Sequence, residues 1–394
     1  MKILLVTPEQ FPVPAVLGGA VETLVTTLIK EHEKHDNDDY NIYVASVYDK
    51  NALEQSLNYK KTNMIYISMK NNSVFKFINK VISKILRRNI SSYIYQYKIY
   101  KKVKNENIDI VVIEGGNLFL YKYLKRKMKK SKFIAHLHGN VEGDERLDKI
   151  FCKYITISNY VNNVFIQNKI VNKNKSTILN NCIDIEKFND NLHNEEEKLL
   201  LRKDLNINKD DIVITFCGRT IAEKGIKELI CAFKKMKNID KCKLLVIGNS
   251  QFGQNLETSY DRELFKISQD IKNKIIFTGF IHNNELPKYL SITDIDAVPS
   301  IWEEPSGLVV LEAMASGLPI VTTDAGGIPE LVNDKCAISV KRDENLIDNM
   351  ARALDYLVLN PQLRKKMGQE GKKQVKKYNK DEYYKKFISI ISEI

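Results

Sequence analysis

The chain has 394 residues, of which 43% are hydrophobic and 28% charged, and its formal net charge is +12. This length predicts two domains that each bury a core. The composition is that of a globular protein, and no uncharged apolar run approaches the roughly 18 residues of a membrane span. Nothing near residue 1 resembles a signal peptide. The six cysteines form no CxxC pair, which argues against zinc and favours reduced thiols in a cytoplasm.

The positive charge is concentrated in one part of the chain. Residues 55–105 hold twelve Lys or Arg and no Asp or Glu, and residues 122–132 add seven more. Within the first stretch, Val74–Lys104 has apolar residues at helical spacing with basic residues between them. Such a helix can lie on an anionic membrane surface, or it can pack on a core with its basic face solvated. Both interpretations stay open. A nucleic-acid-binding protein is disfavoured, because no recognition module accompanies the charge.

The first half of the chain begins as an open α/β sheet. A buried strand, Lys2–Thr7, is followed by Gly18, Gly19 and an amphipathic helix, Val21–Glu33. A glycine-rich turn between the first strand and the first helix is where such sheets receive phosphates. The GxGxxG spacing is absent, which disfavours a dehydrogenase. Further strands of this half are predicted at Ile42–Val47, Ile108–Ile113, Lys132–Leu137 and Tyr154–Ser158.

The predicted strand Lys132–Leu137 leads into a pair of histidines. Side-chain alternation places His136 and His138 on the same side of the chain. Ligands of open α/β sheets bind beyond the carboxyl ends of the strands. We therefore expect His138, which lies past the strand end, to be the histidine that reaches a ligand.

A charged stretch with few apolar residues, 189–211, predicts a domain boundary. A new α/β unit then begins with the strand Ile212–Cys217 and a glycine-bounded turn, Gly218–Gly225. Arg219 and Lys224 in this turn are placed to neutralise two phosphates at a strand end. Further elements of this half are predicted at Ile226–Lys235, Lys243–Ile247, Ile275–Phe277 and Ile320–Thr323.

Residues 299–332 carry the most informative pattern of the sequence. Pro305 and Gly307 precede a run of helix formers, Leu308–Ala315, and Gly317 follows it. This is the usual punctuation of a short helix. The first N–H groups of such a helix lack partners and carry a partial positive charge, so its start is a candidate anion site.

Two carboxylates frame this helix start. Glu304 precedes the helix and Glu312 lies on it. They would repel a bare phosphate, but they would accept hydrogen bonds from hydroxyls beside one. A nucleotide sugar has this arrangement, with a ribose diol, a diphosphate and sugar hydroxyls. The alternative is that Glu304 is an ordinary loop charge and Glu312 a solvated helix residue.

Glu304 and Glu312 resemble the E-x7-E element of the retaining glycosyltransferases of family 4, which belong to the glycosyl transferases group 1 and share the GT-B fold. The GR-x4-KG sequence at 218–225 and the GG-x-PE sequence at 326–330 are also similar to that family. Ser306 departs from the more usual Phe, which changes the expected shape of the sugar pocket. The resemblance covers nearly the whole chain, closely over 212–332 and loosely over 35–130.

The resemblance implies an α/β GT-B fold, with two Rossmann-like α/β/α domains facing a central cleft. Residues 1–188 would form the acceptor-side domain and 189–378 the domain that binds the nucleotide-sugar donor, with a terminal helix at 379–394 packing back on the first. The implied enzyme is a retaining, metal-independent hexosyltransferase without a cofactor. Its donor would be a nucleoside diphosphate sugar, with UDP or GDP expected. Its acceptor would be a hydroxyl of a glycan or lipid-linked molecule in bacterial cell-surface polysaccharide synthesis, such as capsule or cell wall.

The implied catalytic residues are Glu304, His138, Arg219 and Lys224. In this scheme the two cations hold the diphosphate, Glu304 and His138 contact the sugar, and Glu312 holds the ribose. The implied donor-binding residues are Gly18, Gly19, Gly218, Arg219, Lys224, Gly248, Phe280, Ile281, Glu304, Ser306, Gly307, Leu308, Val309 and Glu312.

The implied enzyme would be cytoplasmic. Peripheral binding to the inner face of the cell membrane is an additional expectation. The DxD sequence Asp294–Asp296 is the metal motif of another glycosyltransferase fold, but we expect no metal there because it lies in a buried strand. A nucleotide-sugar epimerase of the same fold remains an alternative.

Overall fold

The computed structural model describes residues 1–35, 39–69, 90–167, 171–189, 192–250 and 258–394. The chain divides into two compact units, Met1–Asn181 with Lys380–Ile394, and Cys182–Asn379. The predicted boundaries were 188/189 and 378/379. Residues 74–89 of the predicted basic helix, Val74–Lys104, lie outside the described residues, and the described remainder is helical over Ile90–Val103.

Within the described residues, the first unit contains a seven-stranded parallel sheet with the order β3-β2-β1-β4-β5-β6-β7. Its strands are β1 (Lys2–Val6), β2 (Asn41–Val47), β3 (Thr62–Ile67), β4 (Ile110–Glu114), β5 (Lys132–Leu137), β6 (Lys153–Thr156) and β7 (Ser176–Ile178). All five residues of β4 are buried. Continuous burial is typical of parallel sheets covered by helices on both faces, and it explains the apolar run of residues 110–113 in β4.

Before the chain enters the second unit, the first unit contains the helices α1 (Ala20–Lys34), α2 (Lys50–Ser56), α3 (Ile90–Val103), α4 (Lys122–Lys127) and α5 (Asn159–Ile166). Across the described part of the chain, no helix combines the length and the apolar character needed to cross a membrane.

The second unit repeats the pattern with a parallel sheet in the order β10-β9-β8-β11-β12-β13, six strands in the described residues. Its strands are β8 (Ile212–Cys217), β9 (Cys242–Ile247), β10 (Ile275–Gly279), β11 (Ile295–Val298), β12 (Ile320–Thr323) and β13 (Ala337–Val340). Its helices are α6 (Glu195–Asp204), α7 (Ile226–Lys235), α8 (Ser259–Ile267), α9 (Leu286–Leu290), α10 (Leu308–Ala315), α11 (Ile328–Leu331), α12 (Leu346–Leu359) and α13 (Pro361–Val375).

The last helix, α14 (Lys380–Ser392), returns to the first unit and packs on α1. His32 Nδ1 and the Tyr384 hydroxyl are 2.9 Å apart, and His35 Nε2 lies 2.9 Å from an Asp381 carboxylate oxygen. The side chain of Phe387 is fully buried.

The stretch interpreted as a linker, 189–211, contains the helix α6. Asn194 accepts a hydrogen bond from the Glu197 backbone N–H, and the Glu197 side chain accepts one from the Asn194 backbone. This reciprocal capping box stabilises a helix start despite the scarcity of apolar residues. The Asn-x-x-Glu spacing was the sequence signal that could have revealed the helix.

Each sheet has one point where the strand order reverses, between β1 and β4 in the first unit and between β8 and β11 in the second. At each of these points, the chain leaves the two neighbouring strands toward opposite faces of the sheet. This divergence opens a crevice at the carboxyl ends of the two strands. Arg219, Lys224 and Glu304 follow the two strands at this point of the second unit, and His138 follows the strand next to the corresponding point of the first unit.

Candidate active site

The loops that follow β8 and β9 are joined through their backbones. The Gly218 N–H donates to Ile247 O at 3.0 Å, and the Thr220 N–H donates to Asn249 O at 3.1 Å. A Cβ atom on Gly248 would lie only 2.0 Å from Gly218 O. Glycine at 248 is therefore required for this close approach.

The loop after β8 is also fixed to the loop after β11. Gly225 has φ +70°, and a Cβ atom there would lie 1.8 Å from Pro299 O. The Ile301 N–H donates to Glu223 O at 3.0 Å. The two loops on either side of the strand-order reversal thus form one connected surface at the carboxyl edge of the sheet.

An ion pair connects these two loops. Lys224 Nζ lies 2.5 Å from Glu304 Oε1, and the two side chains are 22% and 7% exposed. The Ser300 hydroxyl donates to the same oxygen at 2.6 Å, and the Trp302 ring centroid is 5.7 Å from Lys224 Nζ. The structure therefore brings together two predicted site residues that lie 80 positions apart in the chain.

The backbone around Glu304 is held by a third loop. A Cβ atom on Gly326 would lie 2.2 Å from Glu304 O, and the Gly326 N–H donates to a Glu303 carboxylate oxygen at 2.6 Å. Arg342 donates to Glu303 at 2.8 Å and to Asp324 at 2.9 Å. Arg342 was missed at the sequence level because it lies beyond the recognised pattern and acts through these two carboxylates.

The helix α10 begins at Gly307, whose φ is +89°. No side-chain hydrogen bond caps this end. Ser306 is buried, while Leu308 and Val309 are half-buried and pack against the core of the second unit. The loop conformation at Gly307 directs the first turn of α10 toward the same crevice edge as Glu304.

Glu312 lies one turn into α10 and is half-buried. Burial raises its pKa, and this effect is partly offset by Lys187 and by a hydrogen bond from Asn283 at 3.4 Å. Burial also raises the pKa of the Cys217 thiol, at the end of β8, and the neighbouring Glu312 carboxylate adds to this effect. Glu312 therefore lies beside the end of β8, from which the loop Gly218–Gly225 follows.

Phe280 and Ile281 follow β10. The Phe280 ring meets His282 edge to face at a centroid distance of 5.1 Å, and Ile281 packs against the core. The Gly248 N–H donates to Gly279 O at 2.9 Å. These residues therefore occupy the same carboxyl edge of the sheet, two strands away from β8.

The DxD sequence lies away from this edge. Asp294 Oδ2 accepts the Val213 N–H at 2.9 Å, at the amino end of β8. Asp296 is 2% exposed, and burial raises its pKa. Neither residue belongs to a group of three possible metal donors among the described residues. Metal independence itself stays a prediction.

In the first unit, Gly18 and Gly19 precede α1 with φ values of +84° and +98°. A Cβ atom on Gly19 would lie 2.1 Å from a Glu22 carboxylate oxygen. Glu22 is buried, and burial raises its pKa. A carboxyl group therefore lies against the glycine turn that was expected to approach the diphosphate.

His138 also belongs to a buried cluster in the first unit. Glu114 Oε2 lies 2.8 Å from His138 Nε2 and 2.8 Å from His136 Nδ1. Burial acts to raise the pKa of Glu114, but the two imidazoles outweigh it and hold the pKa at about 2. Burial lowers the pKa of His138 to about 4. Sequence reasoning missed Glu114, although its place at the end of β4, before Gly115, was the available signal.

A cavity of about 190 Å³ adjoins this cluster at the strand-order reversal of the first unit. Its lining includes Pro8, Val21, Glu114, Gly116, Leu137 and His138. The ligand atoms of Glu114, His136 and His138 lie within 4.8 Å of one another, so they could hold a metal ion. Metal-bound histidines almost always donate their other N–H to a partner. His136 Nε2 and His138 Nδ1 have no hydrogen-bond partner among the described residues, which favours a hydrogen-bonded cluster instead.

The two units and the joined loops define the class of protein. Each unit is an α/β domain with a parallel sheet, and the fold is that of the GT-B glycosyltransferases. HepE from Anabaena, solved with UDP, superposes with a TM-score of 0.77 at 17% identity over 100% of both chains. A glycosyltransferase from Rickettsia africae superposes with a TM-score of 0.78 at 20% identity, over 100% of this chain and 98% of that one. The predicted fold class is confirmed.

Residues 197–374 match the family described as Glycosyl transferases group 1. Spore coat protein SA of Bacillus subtilis is 23% identical over 95% of this chain and 94% of its own length. A lipopolysaccharide 1,2-N-acetylglucosaminetransferase of Salmonella typhimurium is 28% identical over 60% of each chain. The recognition of a group 1 glycosyltransferase is confirmed, while the narrower assignment to family 4 stays a prediction.

Proposed function

We propose that the protein transfers a hexose-type sugar from a nucleoside diphosphate sugar to an acceptor hydroxyl, with retention of the anomeric configuration. The observation that carries this proposal is the Lys224–Glu304 pair at the strand-order reversal of the second unit. It places a cation for phosphate and a carboxylate for hydroxyls within one hydrogen bond of each other. A diphosphate joined to a sugar presents the complementary pair of groups, a phosphate and hydroxyls.

The cations have a role in the bond-breaking step. As the bond between the anomeric carbon and the phosphate oxygen breaks, negative charge grows on the leaving diphosphate. Arg219, Lys224 and the first N–H groups of α10 stabilise that charge, and preorganised electrostatic stabilisation is usually the largest catalytic contribution. Lys224 has three N–H donors, so it can donate to a phosphate while it keeps Glu304.

Each of the two carboxylates binds the hydroxyl groups of a different part of the donor. Glu304, fixed by Lys224 and Ser300, accepts hydrogen bonds from the transferred sugar and orients its anomeric carbon. Glu312, further along α10, accepts from the ribose diol. The departing phosphate removes the proton of the acceptor hydroxyl, so the scheme needs neither a protein nucleophile nor a metal ion.

Two further aspects of the proposal are supported by the relatives. HepE is described in complex with UDP and with UDP-glucose, which supports a uridine diphosphate sugar as the first donor to test. A relative from Escherichia coli is a galactosyltransferase that acts on a sugar linked to diphosphoundecaprenol. A lipid-linked glycan in cell-surface polysaccharide synthesis is therefore the proposed acceptor class.

Such an acceptor would require the enzyme to approach a membrane, and the described residues offer a surface for it. The basic surface, as we call it, comprises the contacting helices α3 and α4 together with the residues that follow them, 104 and 128–130. Its exposed cations are Lys101, Lys102, Lys104, Lys122, Arg126, Lys127, Lys129 and Lys130. Tyr97 is 43% exposed among them, and tyrosines mixed with cations suit the headgroup region of an anionic bilayer.

The experiment that tests the donor is a thermal-shift screen of nucleoside diphosphates and their sugars, because a ligand stabilises the protein by RT ln(1 + [L]/Kd). We expect a uridine or guanosine diphosphate and its sugar to raise the melting temperature. Free nucleoside diphosphate should then accumulate only when an acceptor is added. Conversion of the donor sugar without an acceptor would instead establish the epimerase alternative.

A further inference from the structure

Arg342 lies two residues after β13 and connects two loops at the carboxyl edge of the second sheet. Its Nη2 atom donates to Glu303 Oε1 at 2.8 Å, and its Nε atom donates to Asp324 Oδ1 at 2.9 Å. Its Nη1 atom donates to Ile301 O at 3.4 Å. Ile301 and Glu303 belong to the loop after β11, whereas Asp324 follows the neighbouring strand β12. One guanidinium therefore joins the loops of two adjacent strands.

The Glu303 carboxylate connects Arg342 to the turn that holds Glu304. One oxygen of Glu303 accepts from Arg342, and the other accepts the Gly326 N–H at 2.6 Å. The next N–H, that of Gly327, donates to Glu304 O at 2.7 Å. A Cβ atom on Gly326 would lie 2.6 Å from Glu304 N, so this turn is in direct contact with the Glu304 backbone. Arg342 therefore acts on that backbone through Glu303 and the turn.

The two adjacent carboxylates of the loop lie in different environments. The Glu304 carboxylate is buried and accepts from the Ser300 hydroxyl, whereas the Glu303 side chain is 46% exposed. The Thr323 hydroxyl donates to Ser300 O at 2.6 Å and fixes the start of the loop to β12. The contacts of Arg342 fix its end. The position of the Glu304 carboxylate depends on both attachments, because the loop backbone carries it.

The exposure of these contacts separates their effect on stability from their effect on geometry. The side chains of Arg342, Glu303 and Asp324 are 22%, 46% and 44% exposed. Ion pairs that water reaches contribute little to folding stability. A guanidinium nevertheless offers its donors in a fixed planar fork, which sets the geometry of the groups that it joins. Geometry is decisive for catalysis, since a misplacement of roughly 1 Å can lower a rate about a hundredfold.

We propose that Arg342 is a positioning residue that holds the end of the loop after β11, so that the Glu304 carboxylate meets the transferred sugar. The role of Glu304 toward the sugar rests on the proposed function, whereas the attachment of the loop by Arg342 does not. Loss of Arg342 should lower kcat and leave diphosphate binding intact, because Arg219 and Lys224 lie in the loop after β8.

The first experiment compares Arg342→Met with a matched control. For transfer from UDP-glucose, Arg342→Met should lower kcat about ten- to a hundredfold, while the KM for the donor and the UDP affinity stay close to those of the parent. The control is Arg364→Met, because Arg364 is a half-buried arginine of the same unit that donates to Leu357 O at 2.7 Å and to Val358 O at 2.9 Å. The control should lower the melting temperature at least as much and leave kcat unchanged.

Two further variants test whether Arg342 acts through Glu304 and through its geometry. If Arg342 acts only by positioning Glu304, the double variant Arg342→Met with Glu304→Gln should have the same kcat as Glu304→Gln alone. Arg342→Lys keeps the charge but has no planar fork, so its kcat should stay low. The lysine variant also carries the test if the methionine variant does not fold.

Amide hydrogen exchange measures the attachment of the loop without any ligand. The N–H groups of Gly326 and Gly327 donate to the residues that Arg342 holds, and local opening of these bonds exposes them to exchange. Arg342→Met should therefore speed the exchange of both amides. Arg364→Met should leave both rates as they are in the parent.

Four results would overturn the inference. They are a kcat of Arg342→Met that equals that of Arg364→Met, additive losses of kcat in the double variant, full activity in Arg342→Lys, and unchanged exchange at Gly326 and Gly327. Full activity in the lysine variant would show that the charge at this position is sufficient without the fork. A parent protein that transfers nothing from UDP-glucose would count against the proposed function, and the exchange rates would still decide whether Arg342 holds the loop.

Discussion

Replacement of Lys224 by Met tests the ion pair between the two loops of the second unit. Two unit charges 2.5 Å apart attract by roughly 7 kcal/mol at an effective dielectric constant of about 20, before desolvation is subtracted. Removing one member of a buried pair costs about 3–5 kcal/mol. The 22% exposure of Lys224 lets water screen part of that loss. We therefore expect Lys224→Met to lower the free energy of unfolding by about 2–3 kcal/mol.

The assay is chemical denaturation followed by fluorescence. Trp302 is the sole tryptophan of the sequence and lies beside Lys224, so its emission reports on the second unit. A double-mutant cycle with Glu304→Gln should give a coupling of about 1.5–3 kcal/mol, the range for hydrogen bonds to charged groups. Lys224→Met should also weaken the binding of UDP or GDP about ten- to a hundredfold, as measured by calorimetry.

A matched control comes from the pair of Lys227 and Glu263. Its separation is 2.6 Å, but its side chains are 45% and 43% exposed. Exposed pairs contribute little, so the cycle of Lys227→Met with Glu263→Gln should show a much smaller coupling. Equal coupling in the two cycles, or unchanged nucleotide affinity in Lys224→Met, would refute the assignment of Lys224 to a buried diphosphate site.

Four further predictions concern the donor, the metal and the membrane. Burial raises the pKa of Glu312, and the ribose diol binds the ionised form of this carboxylate, so the KM for the donor should rise as the pH falls through the raised pKa. Glu312→Gln should raise that KM and abolish its pH dependence. An unchanged pH profile of KM in this variant would contradict the ribose contact. Glu304→Ala should chiefly lower kcat, because its contact lies at the reacting sugar, and equal changes in kcat and KM would count against that role. EDTA should leave activity unchanged, whereas a loss of activity that Mg²⁺ restores would support a metal site at Asp294. Reversing four cations of the basic surface should weaken co-sedimentation with anionic vesicles and leave activity on a soluble acceptor intact. The reversed residues are Lys101, Lys102, Arg126 and Lys127. The control reverses Lys335, Lys341, Lys365 and Lys366 in the second unit, and equal pelleting by both variants would mean that the basic surface is only solvated.

The sequence determined the strands that are buried on both faces. The predicted bounds of β5, β8 and β12 agree with the structure, because continuous apolar runs between loop residues have few other stable conformations. The helix α10 also agrees, since a glycine stands on either side of its run of helix formers. The strands β3, β7 and β13 were missed. All three mix polar with apolar residues, which gives a weak periodic signal.

The tertiary structure decided which residues act together. The sequence placed Lys224 and Glu304 in separate patterns, and only the adjacency of β8 and β11 brings their charges into contact. Glu114 lies at a strand end in the sequence, but only the register of β4 and β5 places it beside His136 and His138. Apolar periodicity is a local property that a chain carries in its sequence. A contact between side chains distant along the chain depends on the strand order and on the register of the sheet, which form only when the whole unit folds.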